Sequence, residues 1–196
     1  MTYPTRTPSL EERIETIEAE LGVVRTLHQY AHAIDYGDMG ALEDCYLPDS
    51  RQNKNLPMGD LVGRSEIMTF YRSRPTAPDK FEKHCVVNPV VTVVDHGEAT
   101  ASAYYFLIQD RPTGPFVSHY GRYRDQLVRG ADLRWRFKVR HFDGEAIAPG
   151  MRSTGERFYR SAELVGGTEN RLGSQRDPAQ HLARLTDVAP DVREGS

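Results

Sequence analysis

Asp35 and His84 are the two residues whose types and placement argue first for chemistry. Asp35 falls in the last turn of a long helical pattern, where the helix dipole disfavours a negative charge, so a compensating group is expected beside it. His84 opens the stretch His84-Cys-Val-Val-Asn-Pro89 and alternates to the same strand face as Val86 and Asn88. A carboxylate that orients and charges an imidazole is general-base chemistry. Standing alone, each residue reads more often as a helix-end aspartate in water or a satisfied core histidine, and the case rests on the two meeting.

Other residues could join them. Tyr30 precedes Asp35 by five positions, an offset of about 140° on an ideal helix, so both reach one pocket only if the helix end unwinds or bends. On a later strand His119, Gly121 and Tyr123 share one face and Ser118, Tyr120 and Arg122 the other, which leaves His119 as a candidate second imidazole. Arg134, Arg136, Lys138 and Arg140 alternate with Trp135, Phe137, Val139 and His141, which reads as a basic solvated face opposing a core face, with Arg140 as a candidate anion holder. Asn88, on the His84 face, and Tyr104 are expected to touch substrate, and Tyr105, Phe106 and Phe116 offer further aromatic walls whose plainer reading is core packing. His28 and His32 lie one helical turn apart without a third ligand at a recognisable spacing, so no metal is expected. The sequence has no GxGxxG, GKS or GKT, GxSxG or HExxH motif, which removes the usual signals for nucleotide binding and serine hydrolysis.

The elements that must position these residues can be read in order. Ser9 and Glu12 have the spacing of a capping box, and Leu10, Ile14, Ile17, Leu21 and Val24 recur at steps of four and three. The spacing predicts a helix over 10–36, bent at Gly22 and ended by Gly37 and Asp38. Short helices are expected over 39–46 and 65–72, with a turn-like stretch over 57–63 between them. From Lys83 the pattern turns to β, with strands over about 83–94, 98–109, 116–128 and 133–142 joined by turns such as Asp95-His-Gly97. Helices first and an antiparallel sheet second is an α+β layout. Residues 1–149 form the expected domain, and 150–196 a tail that is a candidate lid or subunit contact, with one short helical stretch near 178–185.

Composition bounds the partners. A chain of 196 residues is about one domain. Its 25 Lys and Arg against 28 Asp and Glu give a net charge of −3, which offers nucleic acid no general electrostatic attraction. The longest apolar runs fall far short of the ~20 residues of a membrane span. The first residues carry no signal-peptide pattern, and Cys45 and Cys85 form no CxxC, so a cytoplasmic protein without a disulfide framework is expected. The apolar stripe from Leu10 to Val24 needs a cover, which points to a homo-oligomer.

The stretch Tyr30-Ala-His-Ala-Ile-Asp35-Tyr-Gly-Asp38, the Gly63-Arg-Ser-Glu-Ile67 helix start, the His84–Asn88 strand, and the segments Gly121-Arg-Tyr123 and Trp135-Arg-Phe137 together resemble the SnoaL-like branch of the NTF2-like superfamily. The likeness covers roughly residues 10 to 147 and leaves out the tail. It implies an NTF2-like, cystatin-like cone in which N-terminal helices pack on a curved antiparallel sheet with a pocket in its mouth. Scytalone dehydratase, bile acid 7α-dehydratase and hexachlorocyclohexane dehydrochlorinase of this branch pair a helix-end Asp with a strand His, for which Asp35 and His84 are the matching positions. The bile acid enzyme implies a role for Tyr30, it and the dehydrochlorinase one for Arg140, and scytalone dehydratase one for His119. Function then reads as cofactor-free dehydratase chemistry on a cyclic, polyketide- or steroid-like small molecule. Isomerisation or cyclisation by the same dyad, and a non-catalytic binding protein or oxygenase small subunit, are the alternatives. The resemblance leans to a trimer over a dimer.

Overall fold

The computed structural model describes residues 6–54 and 59–148. Its elements are α1 (Leu10–Tyr36), α2 (Met39–Asp44), β1 (Tyr46–Lys54), β2 (Leu61–Val62), α3 (Arg64–Arg72), β3 (Glu82–Val93), β4 (Glu98–Gln109), β5 (Phe116–Arg129) and β6 (Trp135–Ile147). The domain boundary at 149/150, the tail and the helical stretch near 178–185 lie outside the described residues.

Local chemistry sets both ends of α1. Glu12 N–H donates to Ser9 Oγ at 3.2 Å and Ser9 N–H to the Glu12 carboxylate at 2.6 Å, completing the capping box. Gly37, at φ 72°, closes the helix in the left-handed conformation, with its N–H donating to the Ala33 carbonyl. The helix therefore ends at Tyr36, the residue after Asp35. Gly22 does not interrupt it, and its role is space: a Cβ there would stand 2.6 Å from Cδ1 of Trp135.

Six strands form an open, curved sheet in the order β2-β1-β6-β5-β4-β3. Pairing is antiparallel from β3 through β6, as expected, but β1 runs parallel to β6, so the sheet is mixed. The helical pattern over 39–46 ends at Asp44, and β1 follows unannounced. Its inward residues Ser50 and Gln52 are polar, fully buried and hydrogen-bonded, so the apolar alternation that marks a strand is missing. Leu61 and Val62, inside the stretch read as a turn, pair with Gln52 and Arg51.

Two irregularities redirect side chains. In β3 the register to β4 shifts between Val87 and Val90, where Asn88 takes φ 51° and Pro89 has no N–H to donate. In β6 the register to β5 shifts so that Phe137 faces Leu127 and Val139 faces Gln126, which leaves Lys138 as the extra residue and reverses the parity beyond it.

The second half of α1 presses Val23, Leu27, Tyr30 and Ile34 onto the sheet, where they pack with Leu42, Ile67, Met68, Tyr105, Tyr123 and Phe137. Its first half does not: Leu10, Ile14, Ile17 and Leu21 are exposed, by 46% to 68%. Among the described residues no helix is long and apolar enough to cross a membrane.

Candidate active site

The helix-end aspartate and the strand histidine meet. Asp35, only 5% exposed, places Oδ1 2.6 Å from Nδ1 of His84. Both of its oxygens also accept the His84 backbone N–H, each at 3.2 Å. These contacts supply the compensation that a carboxylate at a helix C-terminus requires. A carboxylate at Nδ1 favours the proton on that nitrogen and leaves Nε2 on the far side of the ring.

That ring lines a cavity of about 340 Å³, together with Tyr30, Tyr71, Leu107, His119 and Phe142. Asp35 is not part of the lining and touches the imidazole that is. The helix accordingly needs no unwinding: Tyr30 reaches the cavity from the core side of α1 while Asp35 reaches it only through His84. Lys80 and Glu82, also in the lining, form an ion pair at 2.6 Å. Burial by itself would raise the Glu82 carboxyl, but the hydrogen bonds from Lys80 and Gln109 outweigh it and hold it below the usual carboxylate range.

His119 also lines the cavity, with Nδ1 3.1 Å from Ser118 Oγ and its ring edge-on to Tyr105 and Phe142. Burial pushes it down to about 4, so it is a neutral imidazole at ordinary pH.

Three expected residues lie elsewhere. Arg140 does not face solvent and does not line the cavity: it is 1% exposed, because the parity reversal at Lys138 turns it inward. Its guanidinium carbon sits 3.9 Å from the ring centres of Tyr30 and Tyr123 and 4.3 Å from that of Phe137, and its nearest carboxylate is Asp125 at 3.6 Å. Burial pushes that carboxyl up to about 7 against the pull of Arg140. Asn88 is exposed at the β3 bulge, which ends the alternation carrying His84 and Val86. Tyr104 is 51% exposed and Phe106 37% on the outer face of β4, while Tyr105 turns into the core. The apolar walls come instead from Phe70, Leu107, Phe142 and Ile147.

Tyr71 was not legible as a site residue, although its spacing after Ile67 and Met68 marks the buried face of α3. Its hydroxyl lies 2.7 Å from that of Tyr30 and 2.9 Å from Gln52 Nε2. His28 and His32 are both exposed, and among the described residues no cluster of three or more His, Cys, Asp or Glu could hold a metal.

Residues 15–141 match the model of the SnoaL-like domain, and the chain belongs to that family. The fold recurs in an NTF2-like protein with a cystatin-like fold from Novosphingobium aromaticivorans, 18% identical over 74% of this chain and 94% of that one, with a TM-score of 0.62. A protein of the same organism provisionally described as a scytalone dehydratase is 17% identical over 76% and 99%, with a TM-score of 0.61. A chain provisionally described as the β subunit of an aromatic-ring-hydroxylating dioxygenase, again from that organism, is 17% identical over 66% and 91%, with a TM-score of 0.54. At these identities the likeness is one of fold. Among curated proteins none matches the sequence.

Proposed function

We propose that this protein is a cofactor-independent lyase that removes water from a cyclic, polyketide- or steroid-like hydroxy ketone. Nε2 of His84, held by Asp35, takes a proton from the carbon next to the carbonyl, and the C–H electron pair moves into an enolate. Collapse of the enolate expels the β-hydroxyl, which leaves as water after taking a proton from Tyr30 or from the imidazole that received the first one. His119, neutral, serves as a hydrogen-bonding group. The observation that carries this reading is the 2.6 Å contact between Asp35 and His84 behind a largely apolar cavity of about 340 Å³. We also take the working form to be a homo-oligomer, a trimer or a dimer, with a small molecule as its partner.

The test is to incubate the protein in D2O with a panel of cyclic β-hydroxy ketones, following enone formation and deuterium at the α-carbon. Elimination that is lost in His84→Ala and Asp35→Asn, with circular dichroism unchanged, supports the proposal; turnover in either is expected to fall by about 10²- to 10⁴-fold. Deuterium exchange without loss of water would assign the same dyad to isomerisation or ring closure. If ligands bind without exchange or elimination, the lyase reading fails. A binding or oxygenase-subunit role, for which the likeness to a dioxygenase β subunit speaks, then replaces it.

A further inference from the structure

The cavity that holds the His84 ring is not apolar throughout. Its charged residues Arg74, Lys80 and Glu82 come from one stretch, the loop between α3 and β3 and the first residue of β3. Backbone hydrogen bonds fix that loop at three points. Arg74 N–H donates to the Tyr71 carbonyl at 3.0 Å, Ala77 N–H to the Asp35 carbonyl at 3.4 Å, and Lys80 N–H to the Thr76 carbonyl at 3.0 Å. The loop is thereby tied to the ends of α1 and α3, and both of its cations reach the lining.

The three charges do not cancel. Lys80 Nζ and Gln109 Nε2 both donate to Glu82 Oε2, at 2.6 and 3.2 Å, so the negative charge of Glu82 is met within the wall. Gln109 faces Glu82 across the β3–β4 ladder, and two residues further along His84 faces Leu107. The ion pair therefore stands about 7 Å of strand from the His84 position. Arg74 has no carboxylate and no hydrogen-bond partner for its guanidinium among the described residues. Its guanidinium carbon lies 5.6 Å from the centre of the Phe70 ring, which belongs to the apolar wall. Among these three residues one positive charge is left over, beside a low-dielectric surface that strengthens its pull on an anion.

Resting on the reading of this cavity as a small-molecule site, we infer that its ligand is a monoanion, an apolar cyclic body carrying one carboxylate that Arg74 and Lys80 bind while the rings reach toward His84. A guanidinium presents two parallel N–H groups that match the two oxygens of a carboxylate, and Lys80 adds a further donor. Arg74 and Lys80 are the specificity-determining residues. Glu82 moderates them, because it occupies Lys80 and its own charge opposes an anionic ligand.

The experiment measures binding of 2-naphthoate, 2-naphthamide and 2-naphthylmethylammonium to the full chain by calorimetry at neutral pH. The probes share a bicyclic body and are anionic, neutral and cationic in turn. Wild type binds naphthoate about tenfold more tightly than naphthamide, and the ratio falls as salt is raised. Arg74→Met, which keeps an apolar stem beside Phe70, lowers naphthoate affinity by about tenfold. That is the lower end of the worth of a charged hydrogen bond, since Arg74 is exposed. Lys80→Met lowers it at least as far, because it also leaves Glu82 without its cation. Glu82→Gln raises it several-fold by freeing Lys80 and removing the opposing charge. Naphthamide binding stays within about twofold in all three variants, which reports an intact cavity.

Equal wild-type affinity for naphthoate and naphthamide, tighter binding of the ammonium probe, or no binding of any of the three overturns the inference. So does a preference for naphthoate that survives in both Arg74→Met and Lys80→Met, or a Glu82→Gln protein that binds naphthoate more weakly than wild type. The assay involves no turnover, so failure of the lyase reading leaves this result standing. Failure here, with naphthamide still bound, leaves the cavity and the proton chemistry of His84 to their own test.

Discussion

Asp35 holds the side chain and the backbone of His84 with one carboxylate, so the chemical role proposed for it and its structural one would rest on a single group. Asp125 carries a prediction of its own. Its native carboxyl is raised to about 7, against an unfolded value near 4, so between these pH values the folded chain holds a proton that the unfolded chain releases. Stability from this group therefore declines as pH rises from about 4 to about 7. His119 works the other way: lowered to about 4, it costs stability as pH falls below about 6.5. Urea midpoints taken at pH 4.5 and pH 7.5 should show Asp125→Asn gaining relative to wild type at the higher pH; a constant difference would refute the raised carboxyl. The dyad was legible because a helix-end charge demands a partner and a histidine at the start of a valine-rich strand is conspicuous. Arg140 was not, because its burial depends on one extra residue in β6 that no local pattern reveals.

Helix ends and strand register decide which side chains meet. Gly37 illustrates the first: a Cβ there would meet Thr76 Oγ1 at 2.6 Å, on a backbone that only glycine adopts without strain. Gly37→Ala should cost about 1–2 kcal/mol in chemical denaturation. It should also move the His84 ring signals in an NMR spectrum, since the cap lies two residues from Asp35; an unchanged spectrum would separate the cap from the dyad. α1 was readable end to end from its capping box, stripe and closing glycine. β3 was readable from its run of β-branched valines, and β4 and β5 from the strand segments that follow the Asp95-His-Gly97 turn. β1 was hidden, because a strand that turns Ser50 and Gln52 inward looks like a loop, and with it went the hydrogen bond from Gln52 to the Tyr71 hydroxyl. Asn88 and Tyr104 were misplaced for a related reason: period-2 reasoning holds only until the first bulge, and it gives no rule for which face of a strand lines a pocket.

For the molecule as a whole, the stripe of Leu10, Ile14, Ile17 and Leu21 is the apolar surface that the proposed homo-oligomer would cover. Sedimentation of the Ile14→Lys, Ile17→Lys double variant should then show a smaller species than wild type; the same size in both would move the contact elsewhere or remove it. One further feature belongs to β3, the last strand in the sheet order among the described residues. Uninterrupted, its valines and backbone amides would give a neighbouring molecule a flat template on which to add a strand. Asn88, with its left-handed backbone, and Pro89, with no amide proton, break that row midway. The kink that spoils the alternation of the strand should therefore also hinder a neighbouring molecule from adding a strand there.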